Sequence, residues 1–324
     1  MPAIAPSLAL PRQAQPAGQA RAECRSEISD ALLAPQASIS PKYFYDRRGS
    51  ELFEAITRLP EYYLTRTERA LMRRHGRAIA EAVGAGRVVI EPGAGSCDKA
   101  RDLCRRLAAT HFVGVDISAD YLQGAVARLR AALPGLDARA VGGDITAGLR
   151  LPPDIPGQRR LVFYPGSSIG NFDPPQAVAL LAQMRALAQG GGALLIGIDL
   201  PKPRAVLEAA YDDAAGVTAA FNRNVLAHVN GLIGSDFDPR QWRHRAFFNP
   251  VVSRIEMHLE ALGPQRVRWP GGGRDFAAGE RIHTENSYKH PLPAFTALLR
   301  QAGFASTQSW TDARGWYAVV HARA

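Results

Sequence analysis

The chain reads as an α/β protein, a doubly wound parallel sheet interrupted by a second, inserted α+β unit. Three observations predict this. Short apolar runs alternate with helical stretches from about residue 87 to residue 199, the spacing of βαβ units whose strands pair in parallel. The first three runs each end in a turn or an acid: Pro92-Gly93-Ala94-Gly95, then Asp116, then Gly143-Asp144. The rhythm stops after Leu200 and returns only near residue 293, so a different kind of unit lies between.

Composition sets the outer bounds. With 324 residues, 46% of them apolar and 21% charged, the chain has enough core for one large domain or two ordinary ones, and disorder is excluded over most of it. No stretch approaches the roughly 20 uncharged apolar residues of a membrane span. Three cysteines, Cys24, Cys97 and Cys104, cannot build a disulfide framework. The expectation is a soluble cytoplasmic protein, monomeric, with no membrane partner. The net charge of +9 invites nucleic acid, but only four of 39 basic residues are lysines: Lys42, Lys99, Lys202 and Lys289. The arginines are scattered, with pairs such as Arg73-Arg74 and Arg159-Arg160 rather than a tract, so no nucleic-acid partner is expected.

The elements follow in order. Residues 1–36 are rich in Ala, Pro and Gln, lack the apolar core of a signal peptide and are expected to be loosely ordered. From Pro41 aromatics crowd together: Tyr43, Phe44, Tyr45, Phe53, Tyr62, Tyr63. One amphipathic helix is predicted over 67–83. Strands are predicted at 87–91, 111–115, 137–141, 160–164 and 192–199, with helices at 99–109, 119–132 and 174–188. Beyond them come a helical run at 205–230, strand-like alternation at 245–259 and a glycine cluster at 271–273. A helix at 293–302 and two strands, 306–310 and 316–322, end the chain as an antiparallel hairpin on the sheet. The expected sheet domain is therefore 62–200 plus 288–324, and the second unit is 37–61 plus 201–287.

Ligands of doubly wound sheets bind outside the carboxyl ends of the strands. Gly93-Ala94-Gly95 supplies a tight turn that a ligand can approach, followed by a helix N-terminus. Asp116, 21 residues after Gly95, stands where a carboxylate grips ribose hydroxyls, and Asp144 stands beside the place of an adenine ring. A dinucleotide site wants a third glycine where Asp98 stands, and an acid there opposes a pyrophosphate. A sulfonium cofactor needs no phosphate cradle, so the site points to S-adenosylmethionine. Past the fourth strand, Gly166 to Phe172 carries Asn171 to the mouth of the same pocket. Asp173-Pro174-Pro175 lacks the following aromatic that a base-flipping amino-methyltransferase uses; Gln176 stands there.

Several long motifs now fall together: Tyr43-Phe44-Tyr45-Asp46 with Gly49-Ser50, the run from Leu59 to Glu68, Gly166–Phe172, Glu208-Ala209-Ala210-Tyr211 with the run from Ala214 to Asn222, and Ile282-His283-Thr284-Glu285-Asn286-Ser287-Tyr288. From Pro41 onward the chain resembles the histidine Nα-methyltransferases of ergothioneine biosynthesis. The resemblance implies a Rossmann-like class I methyltransferase sheet carrying a substrate domain. It implies three methyl transfers from S-adenosylmethionine to the α-amine of L-histidine, giving hercynine and S-adenosylhomocysteine.

Carried over by position, Tyr62, Asn171 and Tyr211 surround the α-amino and carboxylate end and position it without a dedicated base. Glu285, Asn286 through its backbone, and Ser287 face the imidazole. Met257, beside His258 in the inserted unit, is pocket wall and a substrate contact if it faces the site, and ordinary core otherwise. Gly93, Gly95, Lys99, Asp116, Asp144 and Ile145 hold the cofactor. Pro92, Cys97 and Ile145 depart from the usual pattern there. No metal is expected: His283 and His290 are seven apart, and His244 and His258 stand alone. Other readings stay open, namely the same fold acting on another amino acid, a dinucleotide-dependent oxidoreductase, an RNA-binding module, or a scaffold without catalysis.

Overall fold

The structure, a computed structural model, describes residues 17–189 and 191–324. Its first element corrects an expectation. Within the stretch expected to be loosely ordered, Ala17–Leu33 forms helix α1, with Ile28 and Leu32 fully buried. A composition rich in Ala and Gln hides two well-spaced apolar anchors, and Arg274 ties the far end by donating to the Leu32 and Ala34 carbonyls. Residues 1–16 lie outside the described residues.

Helix α2, Arg47–Ile56, starts where Asp46 accepts from the Gly49 amide at 2.7 Å. Gly49 must be glycine, since an added Cβ would sit 1.7 Å from the Phe44 carbonyl oxygen. The single helix expected at 67–83 is two, α3 (Tyr63–Arg74) and α4 (Gly76–Val83), broken at His75, where ψ turns to 6° and Gly76 meets the Arg106 guanidinium. Then β1 (Val88–Pro92), α5 (Asp98–Arg106), β2 (His111–Asp116), α6 (Ala119–Ala132), β3 (Asp137–Gly142), β4 (Arg160–Tyr164), α7 (Pro174–Ala188) and β5 (Ala193–Asp199) run as expected, within a few residues. Asp173 and Gln176 form a reciprocal capping box at the start of α7, which accounts for that acid before two prolines.

The helical run at 205–230 is also two helices, α8 (Arg204–Tyr211) and α9 (Val217–Ile233). Asp213 accepts from the Val217 and Thr218 amides and restarts the helix, while Gly216 takes the left-handed conformation at φ 71°. The alternating stretch at 245–259 resolves into β6 (Trp242–Asn249) and β7 (Arg254–Ala261). After them come β8 (Gln265–Trp269), β9 (Gly272–Phe276), β10 (Arg281–Tyr288), α10 (Leu292–Gln301), β11 (Ser306–Thr311) and β12 (Tyr317–Arg323).

The main sheet has seven strands in the order β11-β12-β5-β4-β1-β2-β3, parallel except for the terminal hairpin, in which β12 runs antiparallel to β5. Its central strands are buried at every position, as a sheet covered on both faces requires. One core lies under α4, α5 and α6, and another under α7 and α10. A third core joins residues 28–64 to residues 207–282 around the three-stranded sheet β10-β7-β6. The two parts touch through side chains at the strand ends: Ser118 Oγ donates to the Tyr45 carbonyl, and Lys42 reaches Asp144 at 3.2 Å.

Candidate active site

A cavity of about 1000 Å³ opens along this seam, lined by β1, β2 and β4 ends on one side and by residues 38–65 and β10 on the other. On the sheet side the backbone after β1 is bare. Gly93 and Gly95 hold φ 68° and 50°, and a Cβ on either would meet nothing within 4 Å. Asp116 fixes this turn, accepting from the Gly95 amide at 3.0 Å and the Ser118 amide at 2.9 Å. Cys97, fully buried, opens α5 in a left-handed conformation at φ 59°, and burial pushes its thiol up. Asp144 lies across the cavity mouth. Burial works against its charge, but hydrogen bonds from the Thr146 hydroxyl and amide, with Lys42, hold it below the usual carboxylate range.

Two buried acids on this side carry no role in the sequence reading. Glu68 accepts from the Gly166 amide at 2.8 Å and the Tyr317 hydroxyl at 2.7 Å, and pairs with Lys99 at 2.5 Å. It thereby ties α3, β12, the loop after β4 and the helix after the glycine turn into one corner. Glu91, 2% exposed at the end of β1, lines the cavity, and its Oε2 has no partner among the described residues. Burial pushes its carboxyl well up.

On the opposite side Tyr45, Phe53 and Tyr62 make an aromatic wall, with Phe53 edge-on to Tyr45 and Tyr62. Asn171 lines the cavity from the short helix Ser168–Asn171, which rests against β10; a Cβ on Gly170 would lie 3.0 Å from the Tyr288 carbonyl oxygen. A β-bulge between His283 and Glu285 turns Glu285 into the cavity. Enclosed by protein though open to the cavity, its carboxyl is pushed up to about 7 by burial, against the pull of Lys289. Burial likewise keeps the Tyr62 and Tyr211 hydroxyls protonated.

Tyr211, Ser287 and Met257 do not line the cavity. Tyr211 stands behind Tyr62, ring centroids 6.3 Å apart, and shares a 2.6 Å hydrogen bond with Ser287. Residues that the resemblance places at opposite ends of a substrate are thus drawn together. Met257 packs in the third core, where its carbonyl accepts from the Thr284 hydroxyl; of the two places open to it, core or pocket wall, it takes the core.

A family profile described as histidine-specific methyltransferase, SAM-dependent, matches residues 24–324. The chain belongs to this family. It is 42% identical over 297 residues to the histidine N-alpha-methyltransferase of Mycolicibacterium smegmatis, covering 90% of this chain and 92% of that one. Its identity to the protein of the same name from Mycobacterium tuberculosis is 40% over 298 residues, with the same coverage. An L-tryptophan methyltransferase of Psilocybe serbica is 25% identical over 338 residues, covering 93% of this chain and 92% of that one.

As a member of this family the protein is an enzyme and uses S-adenosylmethionine. The residues present fit that cofactor: it would lie against the bare glycine backbone, Asp116 at the end of β2 would meet its ribose hydroxyls, Asp144 and Ile145 would flank its adenine, and Glu91 Oε2, without a partner among the described residues, would accept from a donor group. No phosphate cradle is present at Asp98, whose carboxylate instead accepts from Ser96. Among the described residues no helix is long and apolar enough to cross a membrane.

The histidines differ from their sequence reading. His258 does not stand alone: it meets Glu256 at 3.1 Å and His283 across β7 and β10, with ligand-type atoms of the three within 4.8 Å of one another. Register across a sheet made this group, and spacing along the chain could not show it. His258 also stacks on Phe247, and His283 meets Asn286 at 2.9 Å. All four lysines prove to be paired with acids: Lys42 with Asp144 and Lys99 with Glu68 at the cavity, and Lys202 and Lys289 with the buried Asp199. Their rarity in the sequence was the one available signal.

Proposed function

We propose that the protein transfers methyl groups from S-adenosylmethionine to the α-amine of L-histidine, three in succession, giving the betaine hercynine for ergothioneine biosynthesis. The observation that carries this reading is Glu285, a buried carboxyl on β10 that lines the same cavity as the aromatic side chains Tyr45, Phe53 and Tyr62, in a chain of this family. A carboxylate there accepts from an imidazole N–H in a charge-assisted bond and so selects histidine over amino acids without such a donor. The 40% and 42% identity to curated histidine N-alpha-methyltransferases supports the same substrate.

The chemistry suits the residues. Bound in the sheet-side half, S-adenosylmethionine supplies an electrophilic methyl group on a sulfonium. The attacking amine must be neutral, whereas a free amino acid is mostly ammonium near neutral pH. Tyr62 and Asn171 hold an uncharged amine by hydrogen bonds, and desolvation in the cavity favours the neutral form. In-line placement then supplies most of the acceleration: each transfer breaks the S–CH3 bond and leaves neutral S-adenosylhomocysteine, and the ammonium formed in the first and second transfers gives its proton to solvent before the next attack. The fixed positive charge that grows on the nitrogen faces the rings of Tyr45, Phe53 and Tyr62, surfaces that accept a quaternary ammonium.

The test is mass spectrometry of purified protein given S-adenosylmethionine and equimolar L-histidine, L-tryptophan and other amino acids. Methylated histidine alone is the expected product; methylation of tryptophan in preference to histidine would overturn the substrate assignment.

A further inference from the structure

A second cavity, of about 370 Å³, lies where β5 begins and β12 ends, and Arg87, His321 and Arg323 line it. β5 runs seven residues from there, roughly 20 Å, toward the end of the sheet that carries the active-site cavity. His321 and Arg323 are two apart on β12, on the same face as Tyr317 and Val319, which pack with Ile79 and Val83 of α4. Arg87 enters from the turn after α4 and donates to the Val83 carbonyl at that helix's end.

The positive charge gathered here has no counterpart. Arg159 donates to the Ala85 carbonyl, but among the described residues no carboxylate pairs with Arg87, Arg159 or Arg323. Ala324 is also at the cavity, and its carboxylate pairs with none of them. Burial lowers Arg87, and the charges of Arg159 and Arg323 lower it further. His321 is 3% exposed, and its Nε2 has no hydrogen-bond partner among the described residues. Burial, then Arg323 and Arg87, push its imidazole down to about 4, so the ring is neutral near neutral pH. An unpartnered buried nitrogen and uncompensated guanidinium groups are both costly. One occupant answers both, an anion that accepts from the guanidinium forks and from the imidazole in its Nε2–H form. Such forks match the oxygens of carboxylate and phosphate, and a cluster of cations favours the doubly charged phosphate. A hollow this small takes a small molecule rather than a polymer.

We infer that Arg87, His321 and Arg323 form a binding site for the phosphate group of a small ligand, remote from the active-site cavity. The site does not depend on which amino acid is methylated, so it stands or falls apart from the proposed function.

The experiment is calorimetric titration of inorganic phosphate, and separately of ribose 5-phosphate, into the full chain at constant ionic strength and mildly alkaline pH, where phosphate is doubly charged. Wild type is compared with Arg87→Gln, Arg323→Gln, His321→Leu and a control, Arg47→Gln, whose side chain is 96% exposed on α2. Wild type is expected to bind one phosphate per chain with a Kd below about 1 mM. Arg87→Gln and Arg323→Gln should each weaken it about tenfold to a hundredfold, the range for hydrogen bonds from a charged group, and His321→Leu about threefold to tenfold. Arg47→Gln should stay within about twofold of wild type. Arg323 is exposed at the end of its strand, so Arg323→Gln keeps the fold and decides the matter should Arg87→Gln unfold. Ribose 5-phosphate binding as tightly as phosphate identifies a phosphate monoester as the ligand, and its exclusion identifies the free ion; both results uphold the site. No saturable binding of either ligand, the result if the Ala324 carboxylate fills the cavity instead, would overturn it. So would a loss in Arg323→Gln no larger than in Arg47→Gln.

Discussion

Replacing Glu285 by glutamine separates what its carboxyl costs the fold from what it contributes to the reaction. Burial moves this group from an ordinary 4.5 up to about 7. An acid whose pKa is raised in the folded protein favours folding when protonated: that contribution is complete below about pH 4.5 and is lost as pH rises through 7. At pH 8 the folded protein therefore holds an ionised carboxylate at a penalty of at most about 3 kcal/mol, an upper bound because the group still meets the cavity. Glutamine keeps the shape and does not titrate. Glu285→Gln should melt a few degrees above wild type at pH 8, and the gap should shrink toward zero at pH 5, where wild type is already protonated. In the same protein, kcat/KM for histidine at pH 8 should fall about tenfold to a hundredfold, the worth of one charge-assisted hydrogen bond. Differential scanning calorimetry at the two pH values and a coupled assay for S-adenosylhomocysteine measure both. A melting difference that is the same at pH 5 and pH 8, or a variant less stable at pH 8, would refute the burial argument.

Three further outcomes follow from the same geometry. Asp116→Ala frees the Gly95 and Ser118 amides and removes the carboxylate at the end of β2, so S-adenosylhomocysteine should bind at least about tenfold more weakly by calorimetry while the melting temperature drops little. Asn171→Ala acts on the other half: turnover should fall and the KM for histidine rise, with S-adenosylhomocysteine affinity within about twofold of wild type, and a collapse of cofactor binding would contradict its place. Gly197→Ala puts a methyl group 2.3 Å from both Glu68 Oε1 and the Tyr317 hydroxyl, which should cost roughly 1–3 kcal/mol in a denaturant melt and loosen the Glu68–Lys99 corner.

The sheet was legible because its strands are short, the central ones β1, β4 and β5 are apolar and buried at every position, and the strand ends carry Gly93, Asp116 and Asp144, a pattern local in sequence. The breaks were not. His75 and Asp213 interrupt runs whose amphipathic spacing continues across them, and the cap at Asp213 is visible only once its amide partners are placed. Helix α1 escaped notice since two anchors, Ile28 and Leu32, suffice to dock it on a core built from residues far along the chain.

Of the site, single residues could be named from motifs, but the pairs they form could not. Glu68 and Gly166 are 98 residues apart, Tyr211 and Ser287 are 76 apart, and Lys289 reaches back to Asp199 across the whole inserted unit. Periodicity reports a residue's own element, whereas such pairs are set by how β5, β10 and α8 converge. The rarity of lysine was a compositional hint that needed the fold before it could be read.

The proposed function requires that the cavity bring the α-amine of histidine to the methyl donor and hold it there through successive transfers. A time course of purified protein with excess S-adenosylmethionine and L-histidine labelled with nitrogen-15 at the α-position, followed by mass spectrometry and nitrogen NMR, tests it most directly. Three methyl groups on the labelled nitrogen, with three equivalents of S-adenosylhomocysteine formed, are the expected result. Methylation on the imidazole ring, or a product that stops at one methyl group with donor still in excess, would contradict it.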